Sequence, residues 1–522
     1  MSAIADTHLP RAGASHRWLV TATSLISSIA VTVTATIVNI AIPDIMGAFG
    51  ISQITAQWMS TAFLASMTAT MLMTDWLDKA LGLRATFIAA LAVFILGSFI
   101  GGFAPNEDFL ILSRVMQGGA AGIVQPLSMV AMFRVFPPDQ RGNAMGIFGL
   151  GVVLAPAIGP FAGGFLIDSF DWRYVFYVGI PFAVIGMTLA QFVYPARDPN
   201  ITRPRFDWTG FALLVLALAS LLTAFTNGQR EGWGSMSVVM LFGTSFAATA
   251  GFIVWELLVR EPLLDLRLFA NFRFTSAAIV SFVFGAGIFA TTYLVPLYVQ
   301  TVQGLTPTQA GLLLMPGGLL LGAMFPLAGR LSDRVPVDVL IAFGLILIAF
   351  SALLTSRVDL DTGFWMLAAW VMIGRVGNAF IFPALSVGAL RAVPPVLVAQ
   401  ASGTVNFMRQ LGGAFGVNLL AVYLERRTQF FSNAMVESQT ASNGETMELL
   451  ARVRDFLAHA GLPDFQQMPG ALQFLEQVVY TQANMFGFRD SFLVIAVVTA
   501  LAIGPAMGVQ RLRGGPRDST RQ

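Results

Sequence analysis

LAPAIGPFAGGFLID, residues 154–168, carries two prolines and three glycines through a run otherwise apolar enough for a lipid-facing helix. Pro156 and Pro160 each remove a backbone donor, and Gly159, Gly163 and Gly164 remove side-chain bulk, so in water a helix written this way breaks. It survives where neighbouring helices re-satisfy the freed carbonyls and no water competes for them, which describes the interior of a bilayer. The stretch therefore reads as a bent membrane helix: the prolines set the bend and the glycines admit a close neighbour.

The rest of the chain agrees. Of its 522 residues 56% are hydrophobic and 11% charged, with a mean hydropathy of +0.73, values outside the range of water-soluble globular proteins. Apolar runs of about 20 residues recur, the length of a helix crossing a bilayer, whereas a membrane barrel would show shorter alternating segments. The fold class is thus all-α and integral to the membrane. Cysteine is absent, which removes disulfides and thiolate metal sites. A formal charge of +2 is too small to argue for nucleic acid as a partner. The first apolar run begins near Trp18 and, at about 25 residues, is long enough to stay as a span instead of being cleaved as a leader.

The runs number about fourteen: 18–42, 56–77, 85–103, 109–133, 143–167, 174–194, 208–226, 237–258, 275–298, 308–327, 339–354, 364–390, 402–423 and 490–509. Basic residues sort by side. Lys79 and Arg84 follow the second run, Arg134 and Arg141 the fourth, and Arg197, Arg203 and Arg205 the sixth. Arg260, Arg267 and Arg273 follow the eighth, Arg330 and Arg334 end the tenth, and Arg391 follows the twelfth, while the opposite short loops hold at most Arg173, Arg230 or Arg357. Positive loops face the cytoplasm, so both termini are expected there and residues 424–489 form a long extracytoplasmic loop. The expected organisation is a tail (1–17), a six-helix bundle (18–194), a linker with two extra transmembrane helices (195–274), a second six-helix bundle (275–510) and a tail (511–522).

The chain looks duplicated. DWLDKALGLR (75–84) and GRLSDRVP (329–336) both set a leucine and a carboxylate beside basic residues in a short turn, and ILSRVMQGGAAG (111–122) has an echo in VMIGRVGNAF (371–380), each with an arginine inside an apolar run. Repeated helical bundles in a membrane suggest alternating access about a central site.

Further motifs carry a resemblance. ATIVNIAIP (35–43), Gln57 with Trp58, Arg114 with Gln117 and Gly118, GLGVVLAPAIGPFAGG (149–164), DWRYVFYVGIP (171–181), Asp207 with Trp208, PLLDLRLF (262–269), Gln300 with Gly304, and NFMRQLGGAFG (406–416) together resemble the 14-span drug:proton antiporters of EmrB/QacA type within the major facilitator superfamily. The resemblance covers nearly the whole chain. It implies the major facilitator fold, two six-helix bundles plus two extra helices, and it implies that Pro156, Gly159, Pro160, Gly163 and Gly164 form the antiporter motif of the fifth span. It also implies efflux of hydrophobic or amphiphilic toxic compounds by proton antiport, multi-pass residence in the cytoplasmic (inner) membrane and, in a host with two membranes, a periplasmic adaptor protein and an outer-membrane channel as partners.

Ionisable groups inside a bilayer are costly and are functional candidates by default. For Arg114 the resemblance implies a role in coupling or in holding the first span, and the residues alone read equally as a clamp satisfied by backbone carbonyls; Arg375 is a candidate cavity residue, and Arg409 with Gln410 is expected to organise its glycine-rich helix. Two departures from the family pattern stand out. Where the resembled first-span motif D-x-T-I-V-N has its carboxylate this chain has Thr34, followed by Thr36 and Asn39, and His8, His16 and His459 all lie outside the runs. In the turn after the second run Asp75 replaces the first glycine of the resembled motif, Asp78 precedes the acidic position and Lys79 occupies it, with Gly82 and Arg84 keeping the frame. Asp75, Asp78, Gly82 and Arg84, with Asp333 and Arg334 in the second half, are expected to act as conformational latches. Asp44 and Asp75 are the nearest carboxylates for a proton. Arginines without a matching acid favour anionic or neutral amphiphiles, and Phe284, Phe289, Tyr293 and Met315 are candidate pocket residues. A facilitator or importer of a small metabolite is the alternative. No phosphate-binding glycine loop with lysine, metal-spaced histidines or Ser/His/Asp set occurs in the runs, so no cofactor or enzyme activity is expected.

Overall fold

A computed structural model describes residues 14–136, 158–197, 205–259, 262–394, 397–440 and 442–509. Among them the regular structure is helical throughout. The first half contains α1 (Ala14–Phe49), a short helix at Gln53–Ala56, α2 (Trp58–Met71), α3 (Thr74–Leu81), α4 (Leu83–Gly102) and α5 (Glu107–Val135). Residues 158–169 form α6, and a turn of helix at Tyr174–Tyr177 leads into α7 (Gly179–Val193). α8 (Trp208–Arg230) and α9 (Met236–Leu258) follow, then a 3₁₀ turn at Leu266–Ala270. The second half is α10 (Phe272–Thr301), α11 (Pro307–Arg334), α12 (Val337–Thr355), α13 (Phe364–Arg391), α14 (Val398–Val436), α15 (Gly444–His459), α16 (Asp464–Leu501) and α17 (Ile503–Gly508).

Helix starts follow local chemistry. The side chains of Asn106, Ser235, Asn271 and Asn443 accept backbone N–H groups at the heads of α5, α9, α10 and α15, which satisfies donors that have no partner within the helix. Thr306 and Gln309 form a capping box around Pro307 at the head of α11.

Ten described helices are long and apolar enough to cross a membrane: α1, α4, α7 with its lead-in, α8 to α13, and α16 continued by α17. The run expected at 56–77 is broken, its helix stopping at Met71 and restarting at Thr74. The runs at 109–133 and 402–423 lie in α5 and α14, whose glycines and polar side chains dilute their hydropathy. The stretch expected as a long loop at 424–489 is instead largely helical: α14 continues to Val436, α15 follows, and α16 begins at Asp464. α14 and α16 have 39 and 38 residues, roughly twice what the hydrocarbon core requires. An ion pair from Arg427 to Asp490 (2.6 Å) ties them together.

Within the first half α5 packs on α2 and α4, and α1 on α5 and α7; within the second, α12 packs on α13, α10 on α14, and α11 on α13. α8 and α9 pair with each other, and α8 leans on α14 and α2. One apolar core runs without a break from Ile37 and Ile45 of α1 to Tyr293, Leu297 and Tyr298 of α10 and Leu313 of α11. The two halves therefore share packing at the end of the bundle where α1 finishes.

Candidate functional site

The proline-glycine helix α6 makes that shared end tight. A methyl group on Gly159 would lie 3.3 Å from Thr36 Oγ1, and one on Gly163 would overlap Ile37, so this face admits α1. Gly164 faces the other half, where its absent Cβ leaves the space filled by the Pro307 carbonyl, and Gly311 of α11 reciprocally gives way to the carbonyl of Pro160. Asp168 then accepts a hydrogen bond from Thr308 N at 3.0 Å, setting a carboxylate at the positive end of α11. Asn39 Nδ2 donates to Thr292 O (3.4 Å) and Gln300 Nε2 to Ile40 O (3.1 Å), joining α1 to α10. Pro156 lies outside the described residues.

Arg114 is fully buried in the first half. Its Nε donates to Met59 O (2.6 Å), and Nη1 donates to Thr34 O (3.1 Å) and to Gln117 Oε1 (2.9 Å), while the guanidinium lies 4.3 Å from the centre of the Phe63 ring. Gln117 Nε2 passes the network on to Ser98 Oγ (3.0 Å). Backbone carbonyls and a ring face carry the charge without a carboxylate, and they bind α1, α2 and α5 at one point. Thr34 joins through its carbonyl only; its hydroxyl donates to Ala30 O (2.9 Å).

Arg375 is only partly buried. It makes one hydrogen bond, from Nη2 to Thr292 Oγ1 (3.2 Å). Thr292 O is the acceptor for Asn39, whose Oδ1 takes the hydroxyl of Ser60 (2.5 Å). A polar chain thus runs from α13 through α10 and α1 to α2, from one half to the other. Beside Arg375 lies a cavity of about 20 Å³ lined also by Thr291, Ser351, Thr355 and Asn378, and Asn378 Oδ1 is buried without a partner.

The turn after α2 holds two ion pairs of different kinds. Asp75 pairs with Lys79 (2.5 Å) along the exposed face of α3. Asp78 instead grips Arg134 at the end of α5 through both carboxylate oxygens. Gly82 adopts φ 87°, with Arg197 where a side chain would stand, and Arg84 Nε donates to Tyr194 O (2.7 Å). Arg334 is exposed at the end of α11, and the Asp333 side chain lies outside the described residues.

Other side chains earn attention only in three dimensions. Ser24, Ser28 and Thr32, spaced one turn apart on α1, meet Tyr194, Ser128 and Gln125; their four-residue spacing was the available signal. Gln57, Thr61 and Asn418 are buried with side-chain atoms lacking partners. Phe284 and Tyr293 belong to packed cores, Phe289 lies against Gly413, and Met315 is partly buried.

Two bundles closed on each other at one end by a small-residue helix, with arginines inside, are matched by the family model described as Major Facilitator Superfamily over residues 24–417. The chain belongs to the major facilitator superfamily. It is a multi-pass membrane transporter, a member of a transporter family and not of an enzyme family. It is similar to the fatty acid resistance protein FarB of Neisseria gonorrhoeae, at 28% identity over 95% of this chain and 96% of FarB. The multidrug export protein EmrB of Escherichia coli is also 28% identical, over 90% of this chain and 91% of EmrB. The lincomycin resistance protein LmrB of Listeria monocytogenes shares 28% identity over 73% of this chain and 81% of its own. In fold, this transporter is similar to a bacterial homologue of the human lysosomal transporter Spinster, solved inward-facing and occupied (TM-score 0.60, 16% identity, 95% and 96% covered). A peptide transporter of the POT type matches likewise (TM-score 0.62, 14% identity, 96% and 98% covered).

Proposed function

We propose that this transporter exports amphiphilic compounds, anionic or neutral in preference to cationic, across the cytoplasmic membrane in exchange for protons. The observation that carries this reading is Arg375: a guanidinium within an apolar helix, at the joint between the halves, with one hydrogen bond and no carboxylate partner among the described residues. Such a group binds an anionic head and repels a cation, while the surrounding apolar helices suit a hydrocarbon tail. Relatives named for resistance to fatty acids, to lincomycin and to multiple drugs support export of this class.

Alternating access follows from where the halves touch. With both termini in the cytoplasm, the end sealed by α6 faces outward, and opening it means parting Gly164 from Pro307 and Asp168 from Thr308. Asp44, half-buried at the end of α1 and within electrostatic reach of Asp168 and Asp171, is the carboxylate through which external protons act on this seal. Asp78 with Arg134 holds the opposite end of the first half. In a two-membrane host the projecting α14–α16 hairpin meets a periplasmic adaptor protein and, through it, an outer-membrane channel.

The test is efflux from cells expressing the protein, using a fatty-acid panel, an anionic dye and a cationic dye, with and without a protonophore. Fatty-acid and anionic-dye export that collapses with the protonophore is expected. Export confined to the cationic dye would remove the substrate assignment, and protonophore-insensitive uptake would make the protein a facilitator.

A further inference from the structure

The two extra helices hold a pair of carboxyl groups that the export reading does not use. Asp207 caps α8, its Oδ1 accepting from Gly210 N (2.9 Å) and from the indole Nε1 of Trp255 (2.8 Å). Glu256 stands in the last turn of α9, only 4% exposed, and its Oε2 accepts from Leu264 N (3.2 Å). The remaining oxygen of each, Asp207 Oδ2 and Glu256 Oε1, is buried and has no hydrogen-bond partner among the described residues. Both lie against the same spot: a methyl group added to Gly210 would touch Asp207 Oδ2 and sit 2.7 Å from Glu256 Oε1. Two orphaned carboxyl oxygens thus border one space at Gly210, too small for a methyl group.

Two negative charges in that position would be expensive. Their separation is small, water does not reach them, and Glu256 sits at the negative end of its helix. Among the described residues the other charged group that bears on Glu256 is Asp265, again acidic. Arg267 is exposed on the connecting turn. Phe407, Met408, Leu411 and Phe415 of α14 and Leu72 just after α2 cluster with Leu264 beside the pair, and Arg409 of α14 is turned onto the Phe382 ring. A metal cation is a poor occupant, because the fixed partners here are N–H donors, and the described residues contain no cluster of three or more acidic or histidine ligands. One proton resolves the conflict, as it does wherever two carboxyl groups share a dry site.

We propose that Asp207 and Glu256 form a proton-binding site on the two extra helices, apart from Arg375, in which Glu256 carries a proton and shares it with the free oxygen of Asp207. Releasing it places two like charges between α8 and α9. Leu264, whose N–H caps Glu256, shares an apolar cluster with Phe407 of α14 and leads by way of the 3₁₀ turn to α10. The site therefore links proton occupancy to the seating of the extra helices on the transport bundle, and it stands whether or not export is proton-driven.

The experiment uses the full chain in lipid nanodiscs. Infrared spectra at neutral pH are expected to show a protonated-carboxyl C=O band that is lost in Glu256→Gln and also in Asp207→Asn, where the new amide donates to an ionised Glu256. Thermal unfolding supplies the second readout. A folded state that keeps a proton the unfolded chain gives up is most favoured at low pH and loses that advantage as pH rises. The wild-type midpoint should therefore fall as pH rises from the ordinary carboxylate range through neutrality, while Glu256→Gln, whose amide replaces the bridging proton, shows less of this fall over the same window. Absence of any Glu256-dependent band, or parallel pH curves for wild type and both variants, overturns the proposal. A sodium-dependent rise in the wild-type midpoint that Glu256→Gln abolishes would make this a metal-cation site and overturn it equally.

Discussion

Arg114 on α5 and Arg375 on α13 interrupt apolar runs that echo each other in sequence, yet their surroundings differ. Arg114 is wholly enclosed, with three hydrogen bonds to the carbonyls of Met59 and Thr34 and the amide of Gln117, and Phe63 beneath its plane. Arg375 is partly open and has one hydrogen bond, to a threonine hydroxyl at the meeting of the halves. A guanidinium whose donors point at backbone carbonyls acts as a clamp, because its geometry is rigid and its charge is already screened by dipoles. One with donors to spare, beside a small polar cavity, is available to a ligand. Sequence duplication supplied two arginines, and the neighbouring helices gave them different work.

Substituting Arg114 tests that contrast most severely. Arg114→Ala removes three hydrogen bonds from a charged donor to buried acceptors and should cost about 3 kcal/mol or more, seen as a lower thermal midpoint and poor yield of folded protein; Arg114→Lys, which lacks the planar fork, should recover little. A midpoint unchanged in Arg114→Ala would show that the clamp is not one. Gly164→Val comes next. Its side chain collides with the Pro307 carbonyl, and overpacking of this kind costs about 2 kcal/mol; cysteine-accessibility labelling should find the α6–α11 end open. Arg375→Gln should leave the thermal midpoint within about 1 kcal/mol of wild type and reduce export of an anionic amphiphile about tenfold, corresponding to about 1.4 kcal/mol of lost interaction. If it instead unfolds the protein and spares export, the two arginines have been assigned the wrong way round. Asp78→Asn is the mildest. Asp78 is largely buried but Arg134 is half-exposed, and a pair screened by solvent on one side contributes about 1 kcal/mol, so the transport rate should change by no more than about fivefold.

The same residues mark how far the sequence could be read. Arg114 and Arg375 were visible as charges in apolar runs, but nothing in their spacing distinguishes the clamp from the partly buried one, because the acceptors at Met59, Thr34 and Thr292 lie on other helices. Asp78 stands next to Lys79 in sequence and pairs with Arg134 across the turn. The stretch 424–489 read as a loop because a helix that leaves the membrane no longer carries a continuous apolar run, and its amphipathic pattern is weaker than the signal of a span. Asp207 was legible as part of a motif, whereas the conjunction of its free oxygen with that of Glu256 depends on how α8 and α9 cross.

By itself the sequence determined that this protein is a bundle of helices in a membrane, that 154–168 must be a close-packed helix, and which few charges would have to be accommodated in apolar surroundings. Those conclusions depend on transfer free energy and backbone hydrogen bonding, which act residue by residue along the chain. Only the tertiary structure decided that Gly164 receives the other half of the molecule, that Arg114 is fully closed in and Arg375 only partly, and that two acids meet at Gly210. Each of these depends on which helices are neighbours, and that choice is made by shape and by the directional needs of polar groups, which no local pattern records.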